Sequence, residues 1–233
     1  MHIPDGFINA PTSLAAGAAA AGGVGVSQRR AAQTLQERQA PLAGLVAAYL
    51  FAVQMLNFPV AAGTSGHLLG GALAAILVGP WAGALCVAVV LGVQALLFAD
   101  GGLSALGLNV VNMALVTAWG GYAAFRLLRR ALPATRTSVT VSAGVAAGLS
   151  VVLASLAFVV EYAAGGTGGV PVGTVLGAMV GVHTLIGIGE GIITALTVGV
   201  VLGVRPDLVH GAADLQVPLL VGARRDETAG EAG

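Results

Sequence analysis

The 233-residue chain has no lysine, one cysteine and few charges of either sign: 9% of its residues are charged, against roughly a quarter in ordinary soluble domains. Each shortage excludes something. Without lysine there is no Gly-x-x-x-x-Gly-Lys-Ser/Thr phosphate loop, so any ATP hydrolysis the chain depends on has to come from partners. With Cys86 alone, no disulfide forms within the chain and no thiolate-rich zinc site can be built; Cys86 reads as a small structural residue. Ten acidic residues offset ten arginines, which leaves no net charge and no basic face for nucleic acid. Neither His-Glu-x-x-His nor Gly-x-Ser-x-Gly occurs, so the two common hydrolase signatures are missing.

What fills the chain is apolar. Hydrophobic residues make up 57% and the mean hydropathy is +0.92, so most of the chain has to face lipid or other apolar helices. At about 20 apolar residues per span, this length holds six to eight helices in one bundle. Seven apolar runs are present, near 12–27, 41–60, 67–79, 80–99, 103–128, 138–164 and 173–204. The fold class predicted is all-α: a multi-pass membrane bundle of about seven transmembrane helices. Residues 1–207 are expected to form one transmembrane domain and 208–233 a frayed cytoplasmic tail, with His210 solvated.

Charge orients the bundle. With the amino terminus outside and the carboxyl terminus cytoplasmic, Arg29, Arg30 and Arg38, then Arg126, Arg129, Arg130 and Arg136, then Arg205, Arg224 and Arg225 all fall on the cytoplasmic side. Met1, His2, the 61–66 loop, His67 and the Asp100-Gly101-Gly102 turn then share the outer side.

That grouping matters because of what Met1-His2 can do. A free terminal amine, the backbone nitrogen of residue 2 and the residue 2 imidazole close two adjacent chelate rings on one metal ion, and one more nitrogen completes a plane suited to Ni(II) or Cu(II). Initiator methionine is normally retained before a bulky residue, and residues 1–12 carry no basic leader region, so the amine is expected to be free. A histidine at position 2 of an arbitrary chain is a solvated surface residue. Here an apolar anchor follows it and a second histidine lies on the same side. The third run is only about 13 residues, ~20 Å of helix, so it begins below the surface, with glycines 63, 66, 70 and 71 supporting irregular backbone and His67 at the floor of a cup.

The opening Met1-His2-Ile3-Pro4-Asp5-Gly6-Phe7, the stretch Gly63-Thr64-Ser65-Gly66-His67-Leu68-Leu69-Gly70-Gly71, the run from Gln94 to Gly102 and the run from His183 to Gly191 resemble the CbiM/NikM substrate-capture subunits of energy-coupling factor transporters for cobalt and nickel. The resemblance covers residues 1 to about 207; Pro4-Asp5 stands where many relatives carry Met-Glu. It implies a metal held by the Met1 amine, the His2 amide and imidazole, and His67. It also implies Co(II), or alternatively Ni(II), as the transported substrate, with no organic cofactor. The implied partners are a transmembrane coupling subunit, two cytoplasmic ATPase subunits and a small accessory membrane subunit. The chain itself is then a non-catalytic subunit.

Asp5, Ser65, Gln94, Asn109 and Asn112 are expected to support the ligands; the bland alternative for the amides is helix-to-helix hydrogen bonding. Ala15, Ala19 and Gly23, and in the second run Ala43, Gly44, Ala47 and Ala48, have the small-residue spacing that permits close helix approach. The second set is the better surface for a partner helix, although alanine and glycine are abundant enough here to give such spacing by chance. His183 and Glu190, seven apart on one helix face, either pass protons or form a polar clamp between helices, and the clamp is favoured. A proton-coupled secondary transporter built on that pair is the competing reading from a different functional class. Glu161 is expected at the membrane interface.

Overall fold

The computed structural model of the protein describes residues 1–35, 39–56, 58–59 and 65–215, with 58, 59 and 65 described by backbone alone. Arg38, Gly63, Thr64, Arg224, Arg225 and the side chain of Ser65 lie outside the described residues, as does the tail from 216 onward.

Among the described residues, the apolar runs fall on seven helical rods. The first is α1 (Ala10–Thr34), started by Asn9, whose side chain accepts a hydrogen bond from the Thr12 amide. Then come α2 (Ala40–Gln54), α3 (Gly71–Val78) and α4 (Pro80–Leu97). A fifth rod joins α5 (Leu106–Asn109), a π-helical stretch over Val110–Gly120 and α6 (Gly121–Ala131). The last two are α7 (Arg136–Gly165) and α8 (Val172–Val204). A two-residue antiparallel pair, β1 (Phe58–Pro59) with β2 (Ser65–Gly66), lies between α2 and α3. Three helices, α4, α7 and α8, are long and apolar enough to cross a membrane.

Two expected boundaries move. The second run stops being helical at Gln54. The helix of the third begins only at Gly71, because Gly70 adopts φ +76 and the amides of Leu69 and Gly70 are taken by a side chain instead of by preceding carbonyls. At eight residues, α3 is about 12 Å long and cannot cross a bilayer. Every one of its residues is buried, and it packs against α4, the π-helical stretch, α7 and α6. It is therefore the centre of the bundle, and the irregular backbone leading into it is enclosed by protein, as irregular backbone at membrane depth has to be.

The outside of the molecule is apolar. Along α8, Leu185, Ile188, Ile192, Leu196, Val200 and Val204 are exposed at three- and four-residue spacing, while His183, Glu190 and Thr194 face inward. The seven described arginines cluster at the end of the bundle away from Met1, where Arg129 pairs with Asp214 at 2.6 Å. The tail from 208, expected to fray, is folded as far as Leu215: Val209 and Ala212 are fully buried, and Gly211 lies on Phe125 and Ile76. His210 is exposed, as expected, with its ring 5.8 Å from that of Tyr122.

The most extensive helix pairing, α7 with α8, is made through glycines. A Cβ on Gly187 would stand 2.8 Å from the Gly148 carbonyl oxygen and one on Gly191 2.8 Å from that of Gly144, so the two backbones touch directly. Gly187→Ala is expected to destabilise the detergent-solubilised protein by about 1–3 kcal/mol through overpacking. Gly181→Ala, on the same helix but with open space where its Cβ would go, is expected to be neutral or stabilising by up to about 1 kcal/mol. Thermal melts of the two variants side by side check this.

Candidate metal centre

The first eight residues form a strap folded into the bundle. Ile3 is fully buried with Leu108, Phe158 and Tyr162, and its backbone is gripped on both sides: the Ile3 amide donates to Asn109 Oδ1 at 2.8 Å, and Asn109 Nδ2 donates to the Ile3 carbonyl at 3.2 Å. The Gly102 amide donates to the same carbonyl at 2.9 Å. Gly102 has to be glycine, since a Cβ there would overlap the Asp5 amide. Farther on, Phe7 stacks on Phe158, Ile8 pairs with Gly166, and Asp5 accepts from the Ser104 amide at 2.7 Å and its hydroxyl at 2.5 Å. Those bonds hold the exposed Asp5 carboxyl below its usual pKa.

The other half of the site is the backbone from Gly66 to Gly70. Glu190 of α8 accepts from the Leu69 amide at 2.7 Å and the Gly70 amide at 2.9 Å, one on each carboxylate oxygen, and Gln54 Nε2 of α2 donates to the Leu69 carbonyl at 2.7 Å. His67, 6% exposed, donates from Nδ1 to the Leu68 carbonyl at 3.0 Å. Its Nε2 lone pair is thereby turned toward the strap.

The two halves meet at one point. The Met1 amine donates to His67 Nε2 at 2.9 Å, and the His2 and His67 rings stack with centroids 4.8 Å apart. Two nitrogens bound at right angles to one ion at about 2.0 Å stand about 2.8 Å apart, so the amine and His67 already have the separation of neighbouring ligands in a square plane. His2 Nε2 donates to Gln94 Oε1 at 3.2 Å, which leaves its Nδ1, the nitrogen that chelates with the residue 2 amide, as the bare one. Asp100 Oδ1 lies 3.2 Å from that Nδ1. Among the described residues no three His, Cys, Asp or Glu side chains converge in a way that could hold a metal. A four-nitrogen set exists here only when the main-chain nitrogens of Met1 and His2 are counted with His2 and His67.

Burial lowers the Met1 amine from its usual 8.0 to about 6, against the opposing pull of Asp100. Burial, and then the charge of the amine, also lower His2, with Asp100 and Gln94 acting the other way. At neutral pH the amine is therefore mainly neutral and its lone pair is available.

Of the residues expected to support the ligands, Gln94 bonds the His2 ring and Asn109 holds the Ile3 backbone. Asp5 does not orient an imidazole: it is tied to Ser104, and the carboxylate beside His2 is that of Asp100. The signal for Asp100 was its place in the Asp100-Gly101-Gly102 turn, on the same side as Met1. Gly101, at φ +90, lies against the His2 ring. Asn112 is also elsewhere, donating to Glu161 at 2.6 Å. Glu190 is a clamp, though it holds backbone and not a second side chain. His183 is not bonded to it; its Nδ1 donates to the Met179 carbonyl at 2.8 Å. In α2, Ala43 and Ala47 pack inward, with Cys86 Sγ 3.3 Å from the Ala43 carbonyl, whereas Gly44 and Ala48 are exposed.

Over residues 2–208 the chain matches the family described as the cobalt uptake substrate-specific transmembrane region, CbiM. It is 39% identical over 213 residues to a putative fused nickel transport protein, NikMN, of Archaeoglobus fulgidus, a match spanning 91% of this chain and 69% of the other. It is 38% identical over 209 residues to a putative metal transport protein of Haloquadratum walsbyi, spanning 90% and 93%. Among solved structures, the crystal structure of a truncated transition metal transporter matches with a TM-score of 0.77 at 30% identity, covering 87% of this chain and 99% of that one.

The clamp generates its own test. Glu190→Ala leaves the Leu69 and Gly70 amides buried without an acceptor, at about 1–3 kcal/mol each. Amide hydrogen exchange at those two residues is expected to accelerate well before that of the α7 and α8 cores. Unchanged protection at Leu69 and Gly70 would show that Glu190 is not what holds them.

Proposed function

The chain belongs to the family of cobalt uptake substrate-specific transmembrane regions, and we propose that it is the metal-capturing membrane subunit of an energy-coupling factor transporter. In this reading a divalent ion is taken at the outer face of the cytoplasmic membrane by the Met1 amine, the His2 amide and Nδ1, and His67 Nε2. The observation that carries it is the 2.9 Å approach of the Met1 amine to His67 Nε2 beside the stacked His2 ring. The substrate is Co(II), following the family's description. Ni(II) is the second reading, favoured by a set of four nitrogens that can lie in one plane. The Irving–Williams order gives nickel the tighter intrinsic binding whichever ion is carried in the cell.

The membrane orientation proposed has Met1 outside and the arginine-bearing end inside, in keeping with the clustering of the described arginines at the end away from Met1. Energy has to come from elsewhere, since a chain without lysine has no phosphate-binding lysine. The partners proposed are a transmembrane coupling subunit, two cytoplasmic ATPases and a small accessory membrane subunit. The exposed Gly44 and Ala48 on α2 offer a small-residue surface to a partner helix.

The decisive experiment is to add one residue ahead of Met1. The amine then becomes an amide, one ligand is lost, and retention of Co(II) or Ni(II) by the purified chain is expected to fall more than about a hundredfold. A transporter working through His183 and Glu190 would be indifferent to the extension, and undiminished retention would sink the present reading. Metal analysis after growth with equal cobalt and nickel gives the ion the purified chain prefers, and uptake of each ion by cells that carry the chain discriminates the two as substrate.

Acid provides a separate check. Each nitrogen has to be unprotonated to bind, so affinity is expected to hold at neutral pH and to fall as pH drops through about 6, where the Met1 amine takes its proton. Occupancy unchanged at pH 5 would count against the amine as a ligand.

A further inference from the structure

A closed set of nitrogens has to be filled from somewhere. His67 is almost fully buried and the His2 side chain is 9% exposed, so a hydrated ion cannot reach all four donors at once. Beside them lies a cavity of about 300 Å³, bounded on one side by Met1, His2 and Ile3 and on the other by Met179, Val182 and His183 of α8. Its walls are largely apolar, and of its lining residues only His2 and His183 carry a side-chain nitrogen.

The His183 ring is set up as a metal-binding imidazole. Its Nδ1 proton is committed to the Met179 carbonyl at 2.8 Å, which fixes the tautomer and leaves the lone pair on Nε2, the same arrangement that His67 has with the Leu68 carbonyl. Nε2 has no hydrogen-bond partner among the described residues, although the side chain is 6% exposed and lies within electrostatic reach of the Met1 amine. An imidazole with one nitrogen fixed and the other bare, at the edge of a cavity shared with the first two residues, is a donor that the four-nitrogen plane does not use.

Resting on the capture reading above, we infer that His183 is a transit ligand: its Nε2 takes the divalent ion within the cavity and passes it to Met1, His2 and His67. The exchange is stepwise. Nε2 enters as one aqua ligand leaves, the strap nitrogens and His67 replace further waters, the His2 amide gives up its proton to solvent, and His183 is released last. Such a ligand lowers the barrier in both directions and leaves the end states alone.

The test is stopped-flow binding and chelator-driven release of Ni(II), using the full chain purified in detergent with its native amino terminus, alongside His183→Ala and His183→Gln. Thermal melts and one-to-one metal stoichiometry identify the folded variants, and the two substitutions differ in how much cavity they leave. Expected is a fall of about tenfold or more in both rate constants, with the dissociation constant within about twofold of wild type and the absorption of the bound ion unchanged. Wild-type rates in both variants overturn the inference. Faster release with weaker affinity, or an altered absorption spectrum, also overturns it, because His183 would then hold the bound ion. A wild-type chain that retains no ion overturns the capture reading and this one together, whereas retention with unaltered exchange in the variants defeats only this one.

Discussion

A main-chain amine buried in an apolar bundle is the constraint around which the Met1 end of this protein is organised. An ammonium there would lose its hydration, so burial favours the neutral form and presents a lone pair instead of a charge. A neutral amine has to be held in place, because little attracts it to the interior. Ile3 supplies the apolar anchor, Asn109 and Gly102 grip the backbone beside it, and Phe7 and Ile8 fix the strap farther along. Two of the four nitrogens then follow from covalent geometry, since the residue 2 amide and imidazole cannot be far from the residue 1 amine.

The bundle around the strap is apolar outside as well as inside. Leu149, Leu153 and Val160 of α7 and Leu185, Leu196 and Val200 of α8 face outward, while Gln54, Gln94, Asn109, Ser150 and Thr194 are buried. In lipid there is little hydrophobic reason for helices to associate, so backbone contact between glycines and internal hydrogen bonds carry more of the packing. That is why a carboxylate such as Glu190 can lie at the centre: with an amide on each oxygen it satisfies irregular backbone that would otherwise be costly at that depth.

Much of this was legible in the chain. Apolar runs located the rods, and the arginines separated the two ends. The Met1, His2 and His67 grouping followed from that separation. What sequence could not give was decided by contacts between distant residues. Asp5 and Asp100 are both acids at the Met1 end, and only the fold shows that Ser104 captures the first and leaves the second beside His2. Asn109 and Asn112 are three apart on one rod, yet one grips the strap and the other turns to Glu161. The start of α3 was misread for a related reason: Leu68 and Leu69 look helical by composition, and it is Glu190, more than a hundred residues away, that takes the amides a helix would have used. The tail from 208 looked free to fray because alanine and glycine give little sign of burial, yet Val209 and Gly211 fit against the base of the core.

The nitrogen set is held from two sides. Met1 and His2 are tied to α5 and to the turn after α4, whereas His67 is tied through its own loop to α2 and α8. At the nitrogens themselves the two sets meet in the bond between the Met1 amine and His67. A rigid shift of α8 against α5 is therefore delivered to that gap, and ligation is steep in distance: a displacement of about 1 Å takes a nitrogen from a 2.0 Å bond to no bond. The α7 and α8 pair meets through bare glycine backbone, a contact suited to moving as one body, and its outward faces are apolar. The same pair also holds the strap, through Phe158 and Tyr162 against Ile3 and Phe7 and through Gly166 against Ile8, so whatever engages those faces reaches both halves of the site.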